Sequence, residues 1–138
     1  MRFVNKTNKI TIDAAIMEVD YLLKHDSPLM ADLYAKTDWK FDSGSSADIL
    51  ITLLKKRDPI DIYYYKPLYP WSAALGYFDG EAIHINFKKM LSHKDVVGLL
   101  LHEYAHYCGY KHGNNYKSKE KCLYSVPYWL SENVKNYI

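Results

Sequence analysis

"SHKDVVGLLLHEYAHYCGYKHGNN", Ser92 to Asn115, decides how this chain is read. Ser92 is placed to cap a helix, Asp95 stands at the capping-box position, and Gly109 offers a left-handed stop. The span predicts a helix of about sixteen residues, close to four and a half turns. Three of the six histidines, His102, His106 and His112, fall in this stretch, with Glu103 beside the first and three leucines directly before it. Ionisable groups at the edge of an apolar run are costly to bury unless something pairs with them.

His102 and His106 are four residues apart, so they stand on one helical face about one turn apart. Two imidazoles at that separation can bind one zinc ion. Glu103 is rotated by about 100° from His102, which keeps it from being a natural ligand but lets it reach a water held there. Gly98, one turn before His102 on the same face, is expected to leave room beneath the site. A catalytic zinc site normally takes three protein ligands and keeps one position open. Gly109 lets the chain reverse without Cβ strain, and His112 arrives three residues later as the third ligand.

"HEYAHYCGYKH" (102–112) fits H-E-x-x-H-x-x-G-x-x-H at each fixed position, and so resembles the metzincin branch of the zincin metallopeptidases. The resemblance implies an α+β fold: a minimal zincin-like domain with a small mixed sheet, an active-site helix and flanking helices. It implies one Zn2+ per chain on His102, His106 and His112, and peptide-bond hydrolysis by a metal-activated water with Glu103 as general base. The substrate would be a protein or peptide. Metzincins carry a methionine turn after the third histidine, but the last methionine here is Met90, and "CLYSVPYW" (122–129) occupies that stretch. Val126-Pro127 is expected to form the floor instead. Some metzincins use a tyrosine just after that turn to stabilise the oxyanion; Tyr128 is the first choice here and Tyr124 the second, with packing the other reading of both. Glu132 is the rival third ligand, by likeness to a zincin branch that uses a glutamate on a later helix; the other reading is a solvated acid. The strand before the active-site helix is an edge strand in zincins, which implies that "EAIHIN" (81–86) pairs with extended substrate. "HGNNYK" (112–117) is similar to a segment of SprT-like and WLM-type proteases, which act on DNA-bound proteins. The alternatives to the peptidase are therefore such a DNA-associated protease, or a zincin-fold binding module that has lost turnover.

The rest of the chain supplies the frame. With 138 residues, 49% hydrophobic and 25% charged, residues 1–138 read as a single globular domain without repeats or linkers. A formal charge of +2 gives no strong nucleic-acid signal, and Lys55-Lys56-Arg57 and Lys117/Lys119/Lys121 read as solvated faces. No segment is long and apolar enough for a signal peptide or membrane span, so a cytoplasmic protein is expected. Oligomeric state is open. Cys108 and Cys122 do not make a disulfide framework and read as reduced, packed thiols, a bridge or spare ligand being the alternative.

Ile12, Ile16, Val19, Leu22 and Leu23 share one helical face, Ser27-Pro28 opens a second helix, and "DSGSS" (42–46) is a loop before a third, "SADILITLLKK". That third segment also reads as a strand, and Asp58-Pro59 should end it. "IDIYYY" (60–65) is a predicted strand, followed by a loop whose tyrosines either line a pocket or pack. Asp79-Gly80 marks a tight hairpin into "AIHINF", where Ile83, Ile85 and Phe87 share one face and His84 and Asn86 the other. His84 faces either the cleft or solvent, and His25 and His93 sit near helix ends. "SVPYWLSENVKNYI" should form a closing helix capped near Ser125. Fourteen tyrosines suit half-buried walls.

Overall fold

The structure is a computed structural model that describes residues 2–41, 43–69, 74–89, 91–113 and 123–138. In chain order the elements are β1 (Phe3–Asn5), α1 (Ile10–Leu22), α2 (Pro28–Ala35), α3 (Ser46–Leu54), β2 (Ile60–Tyr65), β3 (Gly76–Phe78), β4 (Ile83–Asn86), α4 (His93–Tyr107) and α5 (Val126–Asn133), closed by a 3-10 turn at Val134–Asn136. The sheet runs β1-β2-β4-β3, parallel except for the antiparallel β3–β4 hairpin. The fold is α+β, as the sequence led us to expect.

Helix boundaries follow local chemistry. Ser27 Oγ accepts from the Met30 N–H at 3.2 Å and donates to the Leu22 carbonyl at 2.5 Å, so one hydroxyl closes α1 and opens α2. α3 is a helix, capped by Ser45, and it ends at Leu54, before Asp58-Pro59 is reached. Ser92 and Asp95 make both bonds of the capping box at the start of α4. Gly109, at φ +100°, takes the left-handed turn after it. Ser125 caps α5, with Pro127 in its first turn.

α4 is buried on most of its surface, from Val96 through Leu101 and again at Glu103 to Ala105. It packs against α1, α5 and β3, and all five residues picked for the α1 face lie in the same apolar cluster. Ile62, Ile83 and Ile85 line the sheet face that meets this core. Gly98 lines a cavity beside His102 and Glu103, as expected, and has a second role. A Cβ there would stand 3.1 Å from the Ser131 carbonyl oxygen, so the missing side chain also lets α5 approach.

The sheet holds one strand that was not expected and corrects two expectations. β1 was not foreseen: Phe3 and Val4 are too short a run to signal a strand, yet Phe3 is fully buried and pairs with Ile60. "EAIHIN" is not an edge, because β4 lies between β2 and β3, and the edge on that side of the described sheet is β3. Asn86 is 1% exposed and Phe87 50%. Asn86 repays its burial by donating to the Ala74 carbonyl at 3.1 Å and accepting from the Lys88 N–H at 3.0 Å, while Phe87 has run past the strand end. Asp79-Gly80 does turn the hairpin, with the Asp79 carboxylate accepting from the Glu81 and Ala82 N–H groups.

One buried bond ties α4 to the far layer. Tyr104, 1% exposed, donates its hydroxyl at 2.7 Å to the Leu53 carbonyl, which α3 leaves open in its last turn. Tyr104→Phe keeps the edge-on contact with Phe3 but orphans that carbonyl. It should cost about 1–2 kcal/mol in urea unfolding; an unchanged midpoint would show that the carbonyl is rehydrated.

Candidate metal centre

α4 carries His102 and His106 on one face, and the turn at Gly109 brings His112 back over them. Ring centroids lie 5.0 Å apart for His102 and His106, 5.1 Å for His102 and His112, and 4.8 Å for His106 and His112. One ring nitrogen from each lies within 4.8 Å of the others, and the three can hold a metal ion. The half-buried rings open onto a cleft walled by Gly76, Tyr77 and Phe78 of β3 and by Tyr128.

Each imidazole has its other nitrogen occupied by main chain. His106 Nδ1 lies 2.8 Å from the Tyr110 carbonyl and His112 Nδ1 lies 3.1 Å from the Gly113 carbonyl. A carbonyl only accepts, so both Nδ1 atoms carry the proton and both Nε2 lone pairs are free. His102 is hydrogen-bonded to the Pro127 carbonyl in the first turn of α5. The same Val126-Pro127 stretch expected as a floor therefore orients a ligand. Backbone bonds of this kind fix tautomer and ring angle before a metal arrives.

Burial, reinforced by the neighbouring His106 and His112, pulls the His102 pKa down to about 3. His106 is lowered too, mainly by burial and further by His112, against the Tyr110 carbonyl, which raises it. Neutral imidazoles are the form that binds a cation, so the donor set suits a metal. Glu103 is 6% exposed, and burial pushes its pKa up to about 7, opposed by the Phe78 N–H, which its carboxylate accepts. It adjoins the triad without belonging to it. A second cavity, of about 240 Å³, continues from Glu103 between α4 and α5, bounded by Leu75, Leu99, Ser131 and Lys135.

Tyr128 stands at the centre, its ring 4.6 Å from His102 and 4.5 Å from His112. Glu132 does not join the cluster; it lies on α5 at the smaller cavity, 3.7 Å from the Lys135 ammonium. Tyr124 sits under the ammonium groups of Lys36 and Lys40. His84 points to the opposite sheet face, stacked 4.7 Å from Tyr77 and 5.8 Å from Tyr63, with Asp79 at 2.7 Å. His25 and His93 are exposed. Cys108 is a free, half-buried thiol outside the cluster. Cys122, the lysines at 117, 119 and 121, residues 114–117 of "HGNNYK", Met90, Asp42 and residues 70–73 of the tyrosine-rich loop lie outside the described residues. Among the described residues, no helix is long and apolar enough to cross a membrane.

No protein-family model, curated protein or solved structure matches this chain. The metal centre therefore stands on its geometry. Sequence reasoning missed the three carbonyl acceptors and the Glu103–Phe78 bond, because main-chain partners leave no residue-type signal. It also missed the part played by β3.

These shifts make the metal-free protein acid-sensitive. The unfolded chain protonates His102 and His106 near 6.5, whereas the folded chain takes those protons only at lower pH. Glu103 works the other way, since the folded carboxyl keeps its proton to about 7 and the unfolded one loses it near 4.5. Between 6.5 and 4.5 Glu103 offsets His102, and below 4.5 only the histidine effect remains, so stability should fall as pH drops from 4.5 toward 3. Melting temperatures from pH 6.5 to 3 check this, and in Glu103→Gln, which lacks the offset, the fall should begin near 6.5; a flat profile in that variant would contradict the burial of the triad.

Proposed function

We propose that this chain is a zinc-dependent metallopeptidase. The observation that carries the reading is Glu103: a buried carboxyl with a pKa near 7, set beside three convergent imidazoles and bonded to the open edge of the sheet. An all-imidazole set of three with room for a further ligand favours zinc. Bound zinc would supply Lewis acidity and a water acidic enough to deprotonate near neutral pH.

The chain's own residues account for the remaining chemistry. His102, His106 and His112 would hold the ion. Glu103, kept ionised by a neighbouring dication, takes a proton from the attacking water as the carbon–oxygen bond forms. It passes that proton to the amine nitrogen as the carbon–nitrogen bond breaks. Tyr128, whose ring lies against His102 and His112, would donate to the carbonyl oxygen as it gains charge.

β3 supports the binding of an extended peptide. Asn86 N–H bonds to the Leu75 carbonyl and Asp79 N–H to the Ala82 carbonyl, and ladder bonds alternate along an antiparallel pair. The Gly76 and Phe78 main-chain groups are thus turned away from β4. Glu103 takes the Phe78 N–H, which leaves the Gly76 N–H, the Gly76 carbonyl and the Phe78 carbonyl for a substrate strand. The cavity behind Glu103 is suited to a substrate side chain.

Two measurements test this. Wild type reloaded with zinc and gel-filtered should carry about one zinc per chain by elemental analysis, and His112→Ala much less. Glu103→Gln should keep its zinc and lose at least about a hundredfold in cleavage of a mixed peptide library. Zinc retained by His112→Ala would move the third ligand elsewhere. A fully loaded wild type that cleaves nothing would leave a metal-stabilised binding module.

A further inference from the structure

Residues 36–41 do more than join α2 to α3. The Lys36 ammonium lies 5.2 Å from the Trp39 ring centre and 4.9 Å from that of Tyr124. Trp39 meets Trp129 of α5 edge-on at 5.6 Å and gives its indole N–H to Ser46 Oγ at 2.9 Å. The Lys40 N–H donates to the Tyr124 carbonyl at 3.0 Å. Both ends of this segment are therefore tied down, and Phe41 follows with a backbone φ of +61°.

An aromatic residue pays for that conformation, because left-handed backbone crowds its Cβ against the next carbonyl, and glycine would not. What the conformation achieves is placement. A Cβ built on Gly113 would stand 3.1 Å from Phe41 Cε1 and 3.3 Å from its Cζ, so the ring fills the side-chain space of Gly113. Gly113 follows His112 and supplies the carbonyl that holds its Nδ1–H. Strain at a residue pressed on a ligand-bearing loop is the pattern by which folds hold functional groups in place.

We propose that Phe41 is a positioning residue for the third metal ligand. Its ring backs the Gly113 peptide, the Gly113 carbonyl holds the His112 Nδ1–H, and the Nε2 lone pair stays turned toward His102 and His106. This rests on the reading of the triad as a metal site.

The test is zinc affinity by chelator competition on wild type, Phe41→Gly and Phe41→Leu, with melting of each metal-free protein and the absorption spectrum of each cobalt-loaded one. Phe41→Gly should weaken zinc binding about tenfold or more and alter the cobalt spectrum. Its metal-free melting temperature should stay close to wild type, since relief of the strained backbone offsets the lost contact. Phe41→Leu, which keeps bulk against Gly113, should recover most of the affinity. Tight zinc in wild type with unchanged affinity in Phe41→Gly would overturn the positioning role and leave the metal centre standing. Affinity lost only in step with metal-free stability would also overturn it, by making Phe41 a packing residue. A wild type that binds no zinc would overturn both readings together.

Discussion

α4 has almost no free surface, and the rest of the molecule follows from that. A helix apolar on nearly all sides must be enclosed, and here α1, α5 and the sheet enclose it. Beyond its exposed first turn, its polar sector at His102, Glu103 and His106 then becomes the floor of a cleft. Gly98 sets how closely α5 can approach, and so how near the first turn of α5 brings Pro127 and Tyr128 to His102. The same burial that organises the core also lowers the pKa of His102 and His106 and raises that of Glu103. Packing and chemistry have one cause.

The orientation of the triad is a main-chain matter. Three carbonyls from three places, at Tyr110, Gly113 and Pro127, each take one imidazole proton. Two of them belong to the turn that Gly109 makes available, and the third to the first turn of α5. This divides the labour cleanly. Side chains decide which atoms are present, and backbone decides where they point. A site built this way tolerates changes around it provided the turns keep their shape.

How much could be read beforehand differs from element to element, for physical reasons. Caps, turns and helical periodicity are local, so Ser27, Ser92, Asp95, Gly109 and Ser125 marked their elements correctly, as did the isoleucines at 83 and 85. The histidine spacing is also local, and the triad converges as that spacing requires. Strand order is not local. Nothing within "GYF" says that it lies outside β4, and nothing within "RFVN" says that it pairs with a strand nearly sixty residues away. Phe87 and Asn86 exchanged their expected environments because the strand ended one residue before the alternation did. Gly98 could be read from α4 alone as space beside the site, and only the position of α5 shows its second part, the close approach to Ser131.

The pairing of β1 with β2, Phe3 opposite Ile60, has a bearing on how the molecule assembles. Parallel pairing across so long a stretch of chain must meet a large closure entropy before any contact rewards it. Phe3 also packs against Tyr104, a partner still farther along the chain. The histidine-bearing helix, its turn and the hairpin beside it, by contrast, come from neighbouring sequence. β1 thus makes its contacts at the largest closure cost in the described sheet, and the β3–β4 hairpin makes its own at the smallest.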